Sequence, residues 1–193
     1  TLLANSLVVH ADETGWSINS VWAFLSENAR LLFFGVHKDA ATLKEILDPA
    51  KFAGILISDD AAVYANFTAS QKCWAHLLRK AIKLTLQDPD NNGYREFTDE
   101  LLAIYREAKR IQQDQRFSGN GREGKVTDLI RRLFRLCCPV RQEHADKTGL
   151  DHDFYLLAEE LVRLALRDEL FTFVTAKPVE QPNGVSEPVG GTN

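Results

Sequence analysis

The stretch Gly54-Ile55-Leu56-Ile57-Ser58-Asp59-Asp60 decides the fold. It is a short apolar run without alternation, and it is closed by two acids. A run of this kind is typical of a strand that is buried on both faces, as strands of parallel sheets are. Ligand sites in open α/β sheets gather outside the strand ends. We therefore expect Asp59 to lie at the end of a buried parallel strand.

Three further strands are predicted before this one, at residues 6–12, 21–25 and 31–36. Short polar connections separate them, which indicates an antiparallel meander. A helix is predicted over residues 40–47, where Asp48-Pro49 ends it. Beyond Asp59, residues 72–75 predict one more short strand, and a helix follows from about His76 to Leu86. These elements favour a mixed sheet in which three antiparallel strands lead into parallel ones.

The remainder of the chain is predicted to be helical. Apolar residues recur at helix spacing in three stretches, around Leu101, Leu133 and Leu161. Residues 117–124 are glycine-rich and predict a flexible loop. The order of elements matches a ribonuclease-H-like α/β fold with a large all-helical insertion. We assign residues 1–86 to the core, 87–170 to the insertion, and 171–193 to a partly disordered C-terminal segment.

Composition narrows the class of protein. The 193 residues suffice for one soluble domain, and no run of about 18 apolar residues predicts a membrane span. Three cysteines are too few for a disulfide framework, which favours a reduced, cytoplasmic compartment. The formal net charge of −4 argues against strong general affinity for nucleic acid.

Asp12 ends the first predicted strand as Asp59 ends the fourth. If the two strands are neighbours, their carboxylates converge and repel each other unless a cation lies between them. Oxygen ligands suit Mg²⁺ or Mn²⁺, and two such ions about 3.5–4 Å apart support phosphoryl transfer. Taken singly, either aspartate is more often a turn residue, so the prediction rests on the pair.

Three motifs resemble those of the bacterial insertion-sequence-66-type DDE transposases. The stretch His10-Ala11-Asp12-Glu13-Thr14-Gly15-Trp16 resembles the first-acid motif, and residues 54–64 resemble the second. Residues 71–79, Gln-Lys-Cys-Trp-Ala-His-Leu-Leu-Arg, are similar to the Cys-x-x-His segment of that family. The resemblance covers roughly residues 7–187. It implies metal-dependent DNA strand cleavage and transfer, with Asp12 and Asp59 as catalytic residues and metal ligands.

The resemblance also implies a third acid, which would complete the site for two Mg²⁺ or Mn²⁺ ions. Residues 171–187 are similar to the family segment that carries this acid, and they place it at Glu187, with Glu180 as the alternative. The family continues after this acid with a basic helix, whereas Pro188 and two glycines follow here. A catalytically inactive remnant that acts as a DNA-binding or assembly module therefore stays open, as does a nuclease of the same fold.

His76 is a candidate to approach the scissile phosphate or a catalytic carboxylate, or else a residue that only caps or packs its helix. A zinc site at Cys73 and His76 lacks the four ligands that structural zinc requires. The implied partners are DNA, at the transposon ends and the target, and further copies of the chain in a homo-oligomeric complex. Basic clusters at residues 79–83, 106–110 and 131–135 are candidate phosphate contacts or ordinary solvated faces.

Overall fold

The computed structural model describes residues 3–15 and 20–176, which form a five-stranded sheet and a set of helices. The strands are β1 Val8–Gly15, β2 Ser20–Leu25, β3 Arg30–Val36, β4 Ile55–Ser58 and β5 Ser70–Lys72. The helices are α1 Ala40–Ile46, α2 Trp74–Gln87, α3 Asn92–Gln113, α4 Gly119–Glu143, α5 Leu150–Leu166 and α6 Thr172–Thr175, with a 3-10 turn at Ala62–Tyr64.

The strand order across the sheet is β3-β2-β1-β4-β5. The pairs β1–β2 and β2–β3 are antiparallel, whereas β1–β4 and β4–β5 are parallel. The predicted mixed α/β fold, with an antiparallel meander joined to parallel strands, is confirmed. The strand β1 is the boundary between the two halves of the sheet, and it is the strand that carries Asp12.

One face of the sheet is covered by α1 and forms the first of two cores. Side chains alternate across a strand, and in β1 Val9 and Ala11 face this core, where they pack with Trp22 and Phe24 of β2. The helix α1 contributes Leu43, while Leu56 of β4 joins the same core and is fully buried. His10 and Asp12 therefore belong to the opposite face of the sheet.

The helices α2 to α6 share a second core, which begins at Trp74 directly after β5. Leu101, Ile104, Leu133 and Leu161 are fully buried there, at the helix spacing that the sequence predicts. The indole Nε1 of Trp74 donates a hydrogen bond of 2.7 Å to the carbonyl of Leu170. This bond ties the start of α2 to the segment between α5 and α6, so the helical part is anchored to the edge of the sheet.

Four local predictions are wrong. The short strand predicted at residues 72–75 is instead β5 at Ser70–Lys72, because Trp74 already belongs to α2. The first strand extends to Gly15, because β1 pairs with β2 from His10 to Gly15, and Asp12 therefore lies inside the strand instead of at its end. Residues 117–124 are mostly helical, since Ser118 caps the N-terminus of α4 by accepting a hydrogen bond from the Gly121 amide. The helix α2 begins at Trp74, two residues before the predicted start.

Two further observations bear on the predictions for the chain as a whole. Within the described residues, no helix is long and apolar enough to cross a membrane. Glu180 and Glu187, the two candidates for the third acid, lie outside the described residues, as does Trp16.

Candidate functional site

The parallel pairing of β1 with β4 leads towards Asp12 on one strand and towards Asp59 just beyond the end of the other. Its register pairs Val8 with Ile55 and His10 with Ile57. Asp12 and Asp59 are each two residues further along their segments than His10 and Ile57. By the same alternation, both aspartates share the face of the sheet that carries His10, away from α1.

Each of the two carboxylates keeps lone pairs that are free for a ligand. Asp12 Oδ1 accepts a 3.1 Å hydrogen bond from the Glu13 amide, and its side chain is 60% exposed. Asp59 Oδ1 accepts a 3.0 Å hydrogen bond from the Ala61 amide. A carboxylate offers about four lone-pair sites, so one such bond leaves most of them available. The Asp59 bond also fixes the orientation of its side chain just beyond the end of β4.

His76 approaches the pair from the first turn of α2. Its Nε2 lies 4.0 Å from Asp12 Oδ1, while its Nδ1 is buried and has no hydrogen bond to the described residues. The helix is held at this position because the Cys73 amide donates a 2.7 Å hydrogen bond to the Ser58 carbonyl. The side chain that the sequence singled out is therefore adjacent to the first acid.

A buried cluster behind the acids was missed by the sequence analysis. Glu13 follows Asp12 in β1 and points to the opposite face, where its side chain is only 1% exposed. Its Oε2 accepts a 2.5 Å hydrogen bond from the Tyr64 hydroxyl, and its Oε1 forms an ion pair with the Lys38 ammonium. The alternation of side chains along a strand could have revealed this cluster. If Asp12 faces away from the core, the acid next to it in β1 must face the core.

The negative charges of Asp12 and Asp59 affect the pKa values of Tyr64 and Lys38 in this cluster. Burial raises the pKa of Tyr64 most, and the hydrogen bond to Glu13 and the negative charges of Glu13, Asp59 and Asp12 raise it further. The pKa of Lys38 is raised by its hydrogen bond to Glu13, partly opposed by burial, and then by the charges of the same three acids. Asp12 and Asp59 thus lie near enough to both groups for their charges to raise the pKa of Tyr64 and of Lys38.

The described residues do not by themselves complete a metal site. They contain no group of three or more His, Cys, Asp or Glu side chains that is arranged to hold a metal ion. Asp12 and Asp59 nevertheless fit a hard divalent cation, since they offer oxygen atoms from adjacent strands and one of them is well exposed. A third ligand would have to come from another part of the chain. Glu187 and Glu180 are not among the residues that the structure describes.

The cysteines do not favour a zinc site. Cys137 is fully buried in the helical core, and burial raises the pKa of its thiol to about 12. Zinc binds the thiolate, so this side chain acts as a small apolar residue at neutral pH. Cys73 is the residue that precedes α2 and makes no side-chain capping hydrogen bond.

Acidic neighbours engage several cations in the predicted basic clusters. Arg110 pairs with Glu107, Arg131 with Asp128 and Arg132 with Glu100, while Lys80 pairs with Glu160 of α5. In the middle cluster, Lys109 also lies over the ring of Phe173. These contacts fit solvated helix faces and helix–helix contacts more closely than a prepared DNA surface.

The fold and the site define a mixed α/β protein with one aspartate within β1 and another directly after the parallel strand β4. The chain matches the family described as Transposase IS66 family over residues 1–187, and it belongs to that family. The resemblance predicted from the three motifs is confirmed. Membership carries a transposase function in general, and with it DNA binding and the modification of nucleic acid. No curated protein and no solved structure matches the chain.

Proposed function

We propose that this chain is the catalytic core of a DDE-type transposase, which cuts DNA at transposon ends and joins the freed 3′-OH to target DNA. The observation that supports the proposal is the parallel β1–β4 pairing, because its register runs towards Asp12 in β1 and Asp59 after β4. The strand order β3-β2-β1-β4-β5 supports a ribonuclease-H-like arrangement, in which three antiparallel strands precede the parallel ones.

Asp12 and Asp59 would hold two Mg²⁺ or Mn²⁺ ions, together with a third carboxylate for which the family resemblance indicates Glu187, or Glu180 in its place. When bound, the ions would activate the attacking oxygen and stabilise the leaving oxygen of an in-line displacement. In-line displacement at phosphorus depends on positioning and on charge neutralisation more than on covalent chemistry. The β1–β2 pairing holds the Asp12 backbone, and the Ala61 amide orients the Asp59 carboxylate just beyond β4.

The surrounding residues support this positioning. The Tyr64–Glu13 hydrogen bond connects β1 with the turn that follows Asp59, so it fixes the spacing of the two acids. His76 Nε2 lies 4.0 Å from Asp12 Oδ1, beyond hydrogen-bond range, and it would donate to a phosphate oxygen that approaches Asp12. We further propose that copies of the chain assemble as a homo-oligomer on the two transposon ends, because both ends must be cut and joined together.

A cleavage assay with matched aspartate variants tests the function. The chain is incubated with labelled transposon-end DNA and Mn²⁺, beside Asp12→Asn, Asp59→Asn and Asp60→Asn. We expect the first two variants to lose cleavage to background, since each removes a metal ligand. Asp60→Asn makes the same change in charge one position away, at a carboxylate that pairs with Arg163, and should still cut.

Two outcomes would contradict the proposal. If the parent chain cuts no better than Asp59→Asn, the catalytic role of this chain fails, and the hypothesis of an inactive assembly module gains support. If Asp12→Asn and Asp59→Asn both produce strand transfer at the parent rate, the metal ligands are wrongly assigned even though the chain is active.

A further inference from the structure

A groove of about 1330 Å³ lies along the face of the sheet that is opposite to α1. Its floor includes His10 of β1 and Ile55 and Ile57 of β4, and α3, α6 and the start of α4 form its wall. This volume exceeds the usual range for small-molecule sites. His10 and Ile57 are paired in the β1–β4 ladder, and each precedes one of the two aspartates, Asp12 and Asp59, by two residues. The groove therefore extends along the two strands that lead to the candidate site.

The floor of the groove is apolar and only half-buried. The strand β4 is apolar on both faces, but Leu56 on the α1 side is fully buried, whereas Ile55 and Ile57 on the groove side are half-buried. Tyr105 of α3 and Phe173 of α6 add two half-buried aromatic rings to the wall. Parallel strands with apolar side chains on both faces are normally covered on both. The groove thus favours a ligand that brings apolar surface with it.

The charged side chains that line the groove are three cations, Lys51, Lys109 and Arg122, and no Asp or Glu is among the described lining residues. His10 adds an imidazole whose pKa is lowered by burial, so it is neutral at pH 7. The sign of this charge is opposite to that of the whole chain, whose formal net charge is −4. The groove therefore favours an anionic ligand.

The three cations have no carboxylate within hydrogen-bond range in the part of the chain that the structure describes. Lys109 donates a 2.6 Å hydrogen bond to a glutamine amide oxygen of α3 and lies over the ring of Phe173, and neither neighbour is charged. Arg122 donates a 3.3 Å hydrogen bond to a backbone carbonyl. Lys51 lies 3.8 Å from Asp48 and is 79% exposed. Their charges are available to a ligand, unlike those of the ion-paired cations in the basic clusters.

We propose that this groove binds an unpaired segment of a DNA strand, with its bases on the apolar floor and its phosphates at Lys51, Lys109 and Arg122. Proteins that bind single strands combine a cationic groove with aromatic side chains on which bases stack. The bases of a duplex are stacked out of reach of such a floor. The identification of the ligand as DNA rests on the proposed function, whereas the preference for an anionic chain with flat apolar groups rests on the groove alone.

Fluorescence polarisation tests the proposal by measuring how the full chain binds a labelled single strand and the matching duplex, in EDTA and at several salt concentrations. We expect the single strand to bind at least about 5-fold more tightly than the duplex. Lys109→Gln and Arg122→Gln should each weaken binding of the strand on the order of 10-fold and reduce the salt slope by about 0.7, the value for one phosphate contact. Lys44→Gln and Arg131→Gln remove the same charges outside the groove and should change neither quantity.

Lys51→Glu keeps the test decisive if a variant in α3 or α4 melts at a lower temperature than the parent. Because Lys51 is 79% exposed, the change leaves the packing of the protein intact. It places a negative charge at the rim of the groove, so it should weaken binding of the strand more than Lys44→Glu, which makes the same change on α1. Equal binding by these two variants would overturn the proposal.

An abasic strand of the same length tests the role of the apolar floor. It keeps the phosphates and loses the bases, so it should bind at least about 5-fold more weakly than the normal strand. Equal binding of the two strands, or a duplex that binds more tightly than the single strand, would overturn the assignment to an unpaired strand.

A peptide of residues 177–193 separates a DNA strand from a polypeptide as the occupant. This segment carries Glu180 and Glu187 and follows Ala176, which lines the groove. Displacement of the strand by micromolar peptide, lost in Lys109→Gln, would overturn the assignment to DNA, whereas an unchanged polarisation supports it. None of these results decides the proposed function, which stands or falls on Mn²⁺-dependent cleavage.

Discussion

The replacement Tyr64→Phe tests whether the buried cluster behind the acids holds the site together. The change removes one hydroxyl oxygen and leaves a ring that packs against Trp22. It deletes the 2.5 Å hydrogen bond to Glu13, whose side chain is almost fully buried. A hydrogen bond to a charged group contributes about 1.5–3 kcal/mol, so we expect the free energy of unfolding to fall by about 2 kcal/mol at pH 8.

The pH dependence gives this prediction a second, independent readout. Tyr64 keeps its proton in the folded state, because its pKa there is raised above the ordinary value of 10.0. The unfolded chain ionises this tyrosine above pH 10, so the parent has a loss of stability from Tyr64 at rising pH that the phenylalanine variant lacks. At one pH unit above the pKa of the unfolded tyrosine, this difference in pKa lowers the parent's free energy of unfolding by about 1.4 kcal/mol. The difference between parent and variant should therefore shrink to about 0.6 kcal/mol at pH 11.

Urea denaturation at pH 8 and pH 11 measures both quantities. Tyr105→Phe is the matched control, since that hydroxyl makes no hydrogen bond to the described residues while its ring packs against Trp74. Its unfolding free energy should change by less than about 0.5 kcal/mol at pH 8. A Tyr64→Phe variant as stable as the parent at pH 8, or a difference that is the same at both pH values, would refute the reasoning.

Three further predictions concern stability, each measured by urea or thermal unfolding. Gly54→Ala should lower the free energy of unfolding by about 1–3 kcal/mol, because the added Cβ would meet two backbone carbonyl oxygens at 2.5 and 2.6 Å. Gly124→Ala in α4 is its control: the added Cβ meets nothing within 4 Å, and the change should raise the free energy of unfolding by about 0.5–1 kcal/mol. Leu133→Ala should cost about 2–5 kcal/mol, since Leu133 is fully buried in the helical core; a cost below about 1 kcal/mol would contradict that burial. Glu100→Gln should cost no more than about 1 kcal/mol, because its ion pair with Arg132 is more than one third exposed on both sides.

The sequence predicted the elements whose signal is local. The apolar run of β4 and the periodic apolar positions of α3, α4 and α5 each lie within one segment, and all four elements are present. The start of α4 was missed because residues 117–124 contain three glycines, which disfavour a helix by propensity. The Ser118 cap and the packing of the rest of α4 outweigh that preference.

The residues of the site show the same difference between local signals and contacts over a long separation in sequence. Asp12, Asp59 and His76 stood out by motif; in the structure His76 Nε2 lies 4.0 Å from Asp12 Oδ1, and the strands that lead to the two aspartates run parallel. Glu13 and Tyr64 did not stand out, because 51 positions separate them and only the pairing of β1 with β4 brings them together. A contact over such a separation leaves no local pattern.

The position of Asp12 inside β1 strengthens the argument for a prepared site. At a strand end, the chain on one side of the residue is not paired with another strand. Asp12 instead pairs with Ala23 of β2 and has paired residues on both sides, so its backbone is fixed. Asp59 lies beyond β4 and is held instead by the Ala61 amide. Adjacent side chains of a strand point to opposite faces, so β1 presents Asp12 to His76 and anchors Glu13 in the core with the same backbone. A one-residue slip of β1 would bury Asp12 and expose Glu13, and the Tyr64 hydrogen bond opposes that slip directly.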